Sequence, residues 1–315
     1  MAFIALFPGQ GSQTVGMLSD LATAHPVIQE TFAEASDALG YDLWALSQEG
    51  PAEQLSLTEI TQPLLLTAGA ALARAWISAG GATPAFAAGH SLGEYSALTA
   101  AGALALSDAV QIVQARGQFM QDAVPAGSGA MAAVLGLADE VIESVCAEVA
   151  QATGRVVEAV NYNAPGQLVI AGHADAVEAS LPLLKEAGAK RALALPVSAP
   201  FHCALMRPAA ERLAERLAAV EIKTPAHPVI QNVSMVPETD PEIIRAQLIQ
   251  QTYSPVRWTQ TVSQFDALGL TEAAEFGPGA VLCGLAKRID TPVKHWPLGL
   301  NEQFTEALQA VGSAG

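Results

Sequence analysis

The stretch Ala85-Phe86-Ala87-Ala88-Gly89-His90-Ser91-Leu92-Gly93-Glu94-Tyr95-Ser96-Ala97-Leu98 decides the reading of this chain. A short apolar run, Ala85–Ala88, reads as a strand. It ends in a G-x-S-x-G, residues 89–93, and the helical pattern Leu92–Ala101 follows. A serine between strand and helix sits on a sharp, strained turn, and glycines two residues either side leave room for it. Such a turn lifts the hydroxyl clear of the sheet and aims the next backbone N–H groups at whatever the serine attacks. The bare pattern arises by chance in roughly one such chain in ten, with Gly and Ser each near ~7% of residues. The flanking strand and helix make accident much rarer. Ser91 is therefore the candidate nucleophile of an acyl-transfer reaction.

Outward from this elbow, short apolar runs alternate with helical patterns, the signature of an α/β architecture. Phe3–Phe7 reads as a strand before the glycine-rich turn at residues 8–13. Helical patterns cover Pro26–Leu39, Gln62–Ala79 and Asp108–Ala123, the last with Ser107 as its N-cap. The middle of the chain has its own order: strand Ala130–Leu135, helix Asp139–Gln151, strands Val156–Val160 and Gln167–Ala171, helix Ala174–Ala187, strand Arg191–Pro196. That βαββαβ order is ferredoxin-like. Pro125-Ala126-Gly127 and Pro196–Pro200 supply hinges at its borders. Helix Leu205–Val220, strand Val229–Val233, two further helices, strand Ala273–Phe276 and a last strand-helix pair complete the chain. The expected fold is a hydrolase-like large domain over 1–126 and 198–315, with a parallel sheet and a nucleophile elbow. A ferredoxin-like subdomain is inserted at 127–197.

Composition narrows the function. The 315 residues are 51% hydrophobic and only 15% charged, which supports a large core and excludes disorder. Acidic residues outnumber basic ones 31 to 15, for a formal charge of -16. Nucleic acid is thereby an unsuitable partner, because phosphate binding needs a basic footprint. Cys146, Cys203 and Cys283 are odd in number and share no C-x-x-C spacing, which argues against a disulfide framework and a zinc site and suits a reducing compartment. The first nineteen residues lack a basic n-region and are broken by Pro8, Gly9 and Gly11, so no signal peptide is expected. Gly80, Gly81 and Pro84 interrupt the uncharged run Ala75–Gly93 too early for a membrane helix. A cytoplasmic protein with no membrane or nucleic-acid partner is expected.

A serine nucleophile needs a base. Of the histidines at 25, 90, 173, 202, 227 and 295, His90 is beside Ser91 and should point away. His202 lies in a loop entering a helix at the subdomain border, where clefts form. Position alone leaves it open between a general base and a satisfied structural histidine. Arg116 falls in the middle of the apolar stripe Ala109, Ile112, Val113, Phe119, Met120, Ala123, where a guanidinium is costly unless paired. It either meets an internal carboxylate or waits as a planar fork for a substrate carboxylate. The Gly9–Gln13 turn is no dinucleotide fingerprint, because Thr14 occupies the third glycine position and a Walker lysine is missing. It can instead offer a backbone N–H to an oxyanion. Cys203, adjacent to His202, reads as a buried thiol. No cofactor or metal motif is found.

Phe7–Gln13 (FPGQGSQ), 89–98 (GHSLGEYSAL), 115–121 (ARGQFMQ), 161–172 (NYNAPGQLVIAG), 199–203 (APFHC), 251–258 (QTYSPVRW) and 277–289 (GPGAVLCGLAKRI) together resemble the malonyl-CoA:acyl-carrier-protein transacylases, in that family's order. The resemblance implies transfer of malonyl from malonyl-CoA to the phosphopantetheine thiol of acyl carrier protein through a malonyl-serine, in fatty acid biosynthesis. Ser91 would accept the acyl group and His202 would be the base. The N–H groups of Gln10 and Leu92 would form the oxyanion hole, and Arg116 would hold the malonyl carboxylate. Gln62, in a matching T-Q-P segment, and Met120 would line the pocket. A neutral residue, Gln251, would orient His202, with Gln250 one residue away as the competing register. Phe201 before the histidine accompanies malonyl use in related domains. The family implies a monomer without a cofactor. Acyl carrier proteins are acidic, so docking on this acidic chain would need a local basic patch. Lys185, Lys190, Arg191, Arg207, Arg212, Lys287 and Arg288 are the candidates.

Three other readings compete. A discrete malonyl acyltransferase of a polyketide synthase shares every motif. An α/β-hydrolase esterase shares G-x-S-x-G, but no HGGG-type loop is present and Arg116 goes unexplained. A non-catalytic scaffold gives Ser91 and His202 no task.

Overall fold

The first strand, β1 (Phe3–Phe7), divides its side chains between two cores. Phe3, Ala5 and Phe7 enter one cluster and Ile4 and Leu6 the other, as strand alternation requires. The sheet is thus covered on both faces, which is how a parallel sheet is built. The computed structural model describes residues 2–197 and 199–312. Its further strands are β2 (Phe86–Gly89), β3 (Gly129–Leu135), β4 (Val157–Ala164), β5 (Gln167–His173) and β6 (Arg191–Ala194). β7 (Val229–Ile230), β8 (Pro237–Glu238), β9 (Glu272–Glu275) and β10 (Lys294–Pro297) complete the set.

The larger sheet runs β10-β9-β1-β2-β7-β8 and is parallel except for the terminal β7–β8 pair. The smaller runs β4-β5-β3-β6 and is antiparallel. The protein is a mixed α/β fold with a parallel sheet. In the small sheet, Ala132 and Val134 pack with its own helices, Asp139–Thr153 and Ala174–Glu186. Met131, Val160, Val169 and Ala171 instead join Met120, Phe201, Cys203 and Met206 in a separate apolar cluster. That cluster joins the small sheet to the Arg116 helix and the His202 loop. Of the expected hinge Pro196–Pro200, Ser198 lies outside the described residues.

Two local expectations are corrected. Ser107 is not the N-cap: the helix runs Leu106–Asp122 and is capped by Ala105 without a side-chain bond. Starting there places Leu106 on one buried face with Ala109, Val110 and Val113, and burying that leucine outweighs one capping hydrogen bond. The strand expected over Val229–Val233 pairs only through Ile230. Beyond it the chain turns, and Asn232 bonds the Ser91 N–H and the Gly89 carbonyl.

Candidate active site

Strand β2 places Gly89 beside Phe7 at the carboxyl end of the central pair. Ser91 follows with φ +53°, and the helix Gly93–Ala100 begins two residues later. A Cβ on Gly89 would lie 1.9 Å from the carbonyl carbon of Gly93, and one on Gly93 would lie 1.9 Å from the Phe7 carbonyl oxygen. Both contacts are with backbone, so the two flanking glycines are a steric requirement of this elbow. The half-buried Ser91 is left at its apex.

His202 also has a positive φ, +65°, and is buried. Its Nε2 lies 2.7 Å from Ser91 Oγ, and its Nδ1 lies 3.0 Å from the main-chain carbonyl oxygen of Gln251. With Nδ1–H donating to that carbonyl, the Nε2 lone pair faces the serine hydroxyl. The contact is made by the Gln251 backbone and not by its side chain, and Gln250 is exposed. Burial, then the Arg116 charge, push the His202 pKa down to about 3. The imidazole is therefore neutral at neutral pH, with its Nε2 lone pair unprotonated.

Arg116 is 2% exposed and forms no ion pair among the described residues. Nη1 donates to Gln62 Oε1 (2.8 Å), while Nη2 donates to Gln251 Oε1 (2.9 Å) and to Ser91 Oγ (3.2 Å). The guanidinium also lies over the Tyr95 ring, 5.4 Å from its centroid. Burial holds its pKa below the usual arginine value. Gly117 makes this arrangement possible: a Cβ there would lie 2.8 Å from the Thr58 carbonyl oxygen. Its absence lets the Arg116 helix approach the helix Thr58–Ser78, which carries Gln62.

The other expected residues are close in the chain or in the packing. Met120 and Phe201 share the apolar cluster at the join of the two sheets. The glycine turn carrying Gln10 presses on the elbow, since a Cβ on Gly9 would sit 2.8 Å from the His90 carbonyl oxygen. Among the described residues neither the Gln10 nor the Leu92 N–H donates to a protein acceptor. Two donors near one nucleophile are what an oxyanion hole requires. His90 turns away and bonds Asn163 Oδ1 at 2.8 Å. Cys203 is buried. Among the described residues no group of three His, Cys, Asp or Glu side chains could hold a metal ion, and no helix is long and apolar enough to cross a membrane.

A serine paired with a neutral histidine, beside an arginine without a carboxylate, is suited to accept an acyl group that carries its own carboxylate. Comparison with known proteins agrees: residues 4–288 match the family model described as acyl transferase domain. The chain belongs to the acyl transferase family. This acyl transferase is 57% identical over 287 residues to the malonyl CoA-acyl carrier protein transacylase of Escherichia coli K12, covering 91% of this chain and 92% of that protein. A solved acyl carrier protein S-malonyltransferase from Vibrio cholerae is 54% identical with a TM-score of 0.95, covering 98% of this chain and 100% of the other. A malonyl-transacylase solved in complex with its type II PKS acyl-carrier protein is 51% identical with a TM-score of 0.96, at the same coverage.

Two further residues beside Ser91 carry no role in the sequence pattern. Glu94 is fully buried, and its Oε2 accepts from the Asn232 N–H and from Gln251 Nε2, both at 2.9 Å. Burial raises its pKa to about 7. Asn232 Oδ1 accepts the Ser91 N–H at 2.8 Å, and Nδ2 donates to the Gly89 carbonyl at 2.7 Å. Glu94 had a signal, a carboxylate in the first turn of a helix otherwise apolar or small. Asn232 lies where the pattern reads as an ordinary strand and had none.

Proposed function

We propose that this chain transfers the malonyl group of malonyl-CoA to the phosphopantetheine thiol of acyl carrier protein, through a malonyl ester on Ser91, to supply fatty acid biosynthesis. The observation that carries the reading is the single oxygen, Ser91 Oγ, held by His202 Nε2 on one side and Arg116 on the other. Arg116 takes the malonyl carboxylate, which sets the thioester carbonyl over Ser91. His202 accepts the serine proton as Oγ attacks, and the Leu92 and Gln10 N–H groups hold the oxyanion. Collapse of the tetrahedral intermediate breaks the C–S bond, and His202 returns the proton to the coenzyme A thiolate. The carrier thiol then repeats the steps in reverse, a ping-pong sequence. Gln62 and Gln251 hold Arg116, and Met120 and Phe201 shape the apolar wall. The chemistry requires no cofactor.

The same reading takes the larger unit, 1–126 and 198–315, as hydrolase-like and the inserted unit, 127–197, as ferredoxin-like. The small-sheet order β6-β3-β5-β4 with two helices on one face supports the second assignment. A cytoplasmic monomer is the corresponding cellular form. Service to a polyketide synthase is kept as the second reading because a neighbouring structure is a complex with a type II PKS carrier.

Intact mass spectrometry after mixing with malonyl-CoA tests the proposal. One malonyl adduct should form, vanish in Ser91→Ala, and discharge onto a holo carrier protein. Hydrolysis without accumulation would return the esterase reading, and no reaction the scaffold. Discharge that strongly favours a polyketide carrier over a fatty-acid carrier would select the second pathway.

A further inference from the structure

We propose that Glu94 and Asn232 are positioning residues that fix the Ser91–Leu92 peptide, and with it the direction in which the Leu92 N–H meets the oxyanion. The inference rests on Ser91 being the acyl acceptor. Ser91 occupies the left-handed region, which costs a non-glycine residue about 1 kcal/mol and persists only where partners over-determine it. Those partners are on both sides of the residue. Its N–H donates to Asn232 Oδ1 (2.8 Å), and its carbonyl accepts from Gln251 Nε2 (3.0 Å) and from the Glu94 N–H (3.1 Å).

The peptide unit is planar and trans, so its C=O and N–H point opposite ways. Holding the Ser91 carbonyl on one side therefore aims the Leu92 N–H to the other. Glu94 Oε2 locks both arms of this clamp, accepting from the Asn232 N–H and from the second hydrogen of Gln251 Nε2. Asn232 Nδ2 closes the circuit on the Gly89 carbonyl at the end of β2. Glu94, Asn232 and Gln251 are all at most 2% exposed, and water does not compete for these bonds. A buried carboxyl is costly unless its hydrogen bonds are used. Glu94 Oε1 has no partner among the described residues, and both bonds of Oε2 end on groups that hold the backbone of the nucleophile.

The clamp needs an acceptor at the Oε2 position and not a charge, so Glu94→Gln should preserve it while Glu94→Ala should not. Stopped-flow acylation by malonyl-CoA separates rate from fold: burst amplitude counts folded sites, and burst rate reads the chemistry. Asn232→Ala and Glu94→Ala should slow the burst about 100-fold at full amplitude, the scale of one misdirected oxyanion donor. Glu94→Gln should stay within about tenfold of the parent. Labelling of Ser91 by diisopropyl fluorophosphate, whose P=O oxygen uses the same N–H groups, should slow in parallel. Parent-like rates in both alanine variants, a loss confined to amplitude, or Glu94→Gln as slow as Glu94→Ala would each overturn the proposal. A parent enzyme that takes the label but gives no malonyl burst would overturn the functional reading instead, and the label rates would still decide the clamp.

Discussion

Arg116 Nη2 donates to Ser91 Oγ across 3.2 Å, so the one buried guanidinium of the site touches the very atom that would carry the acyl group. A carboxylate on Arg116 would thus lie close to a carbonyl set over Ser91, as the two ends of a malonyl group do. An acetyl group leaves the cation unpaired.

Replacement of Arg116 by methionine keeps length and apolar packing but removes the charge. Its kcat/KM for malonyl-CoA should fall about 10²–10³-fold, the scale of a lost buried charge contact. Acetyl-CoA, which never uses the charge, should change much less. Parallel losses with both donors would remove Arg116 as the carboxylate anchor.

The acid limb of activity should lie well below the ordinary histidine value of 6.5. His202 is held down to about 3 by burial and by Arg116, with His90 adding in the same direction, so the proposed base stays unprotonated as pH falls through 6.5. Arg116→Met should move the limb of kcat/KM upward, toward 6.5. Stability has the opposite concern. Below 6.5 the unfolded chain binds a proton that the folded His202 refuses, so this residue costs stability progressively from 6.5 down toward 3. Glu94 acts in the other sense, since its folded pKa is raised to about 7 and its proton-linked stability is lost as pH rises through that value. Acylation rate is therefore the cleaner readout, and a limb at 6.5 in the parent enzyme would mean that burial and Arg116 do not hold His202 down.

Gly93→Ala should unfold the elbow where Gly102→Ala only strains a turn. The new Cβ at 93 meets the Phe7 carbonyl at 1.9 Å, whereas at Gly102, φ +76°, nothing lies within 4 Å. The first should cost about 3 kcal/mol or more, since β1 or the elbow must move. The second should cost only about 1 kcal/mol, the price of a left-handed alanine. Urea unfolding midpoints at fixed m-value compare them.

What the sequence made legible follows from range. The strand, elbow and helix around Ser91 are local, and their glycine spacing is a steric rule that the chain displays directly. Arg116 on an apolar stripe was legible as an anomaly, but its partners Gln62 and Gln251 lie 54 and 135 residues away; the resemblance singled out both glutamines, one as pocket-lining and one as the partner of His202, and neither as a partner of Arg116. The Gln251 contact to His202 is made by a backbone carbonyl, which no side-chain pattern can encode. Asn232 is the extreme case: its task is to bond a backbone N–H 141 residues earlier, and locally it resembles any strand residue. Ser107 misled because capping is a weak local preference, and burial of Leu106 decided the helix start.

Five of the seven expected basic docking residues divide into two groups, and the division makes a prediction. Arg288 Nη1 donates to Gln167 Oε1 at 3.2 Å, at the start of β5. The preceding turn at Gly166 packs on Gly136, and a Cβ on Gly136 would lie 2.7 Å from Lys190 Cγ. Lys190, Arg191 and Arg288 are thus exposed cations around one end of the small sheet. Arg212 instead lies over the Phe119 ring and 3.3 Å from Asp122, and Arg207 lies over Tyr253. Cations already stacked on an aromatic ring or paired with a carboxylate have less to offer an acidic carrier than one bonded only to a neutral amide, as Arg288 is. Reversing Lys190, Arg191 and Arg288 together to glutamate should raise the carrier-protein KM about tenfold at low salt, an effect that fades as salt screens it. The malonyl-CoA burst should be unchanged, and Arg212→Glu should do less. Equal loss for coenzyme A and carrier protein would mean that these cations serve the site and not the docking surface.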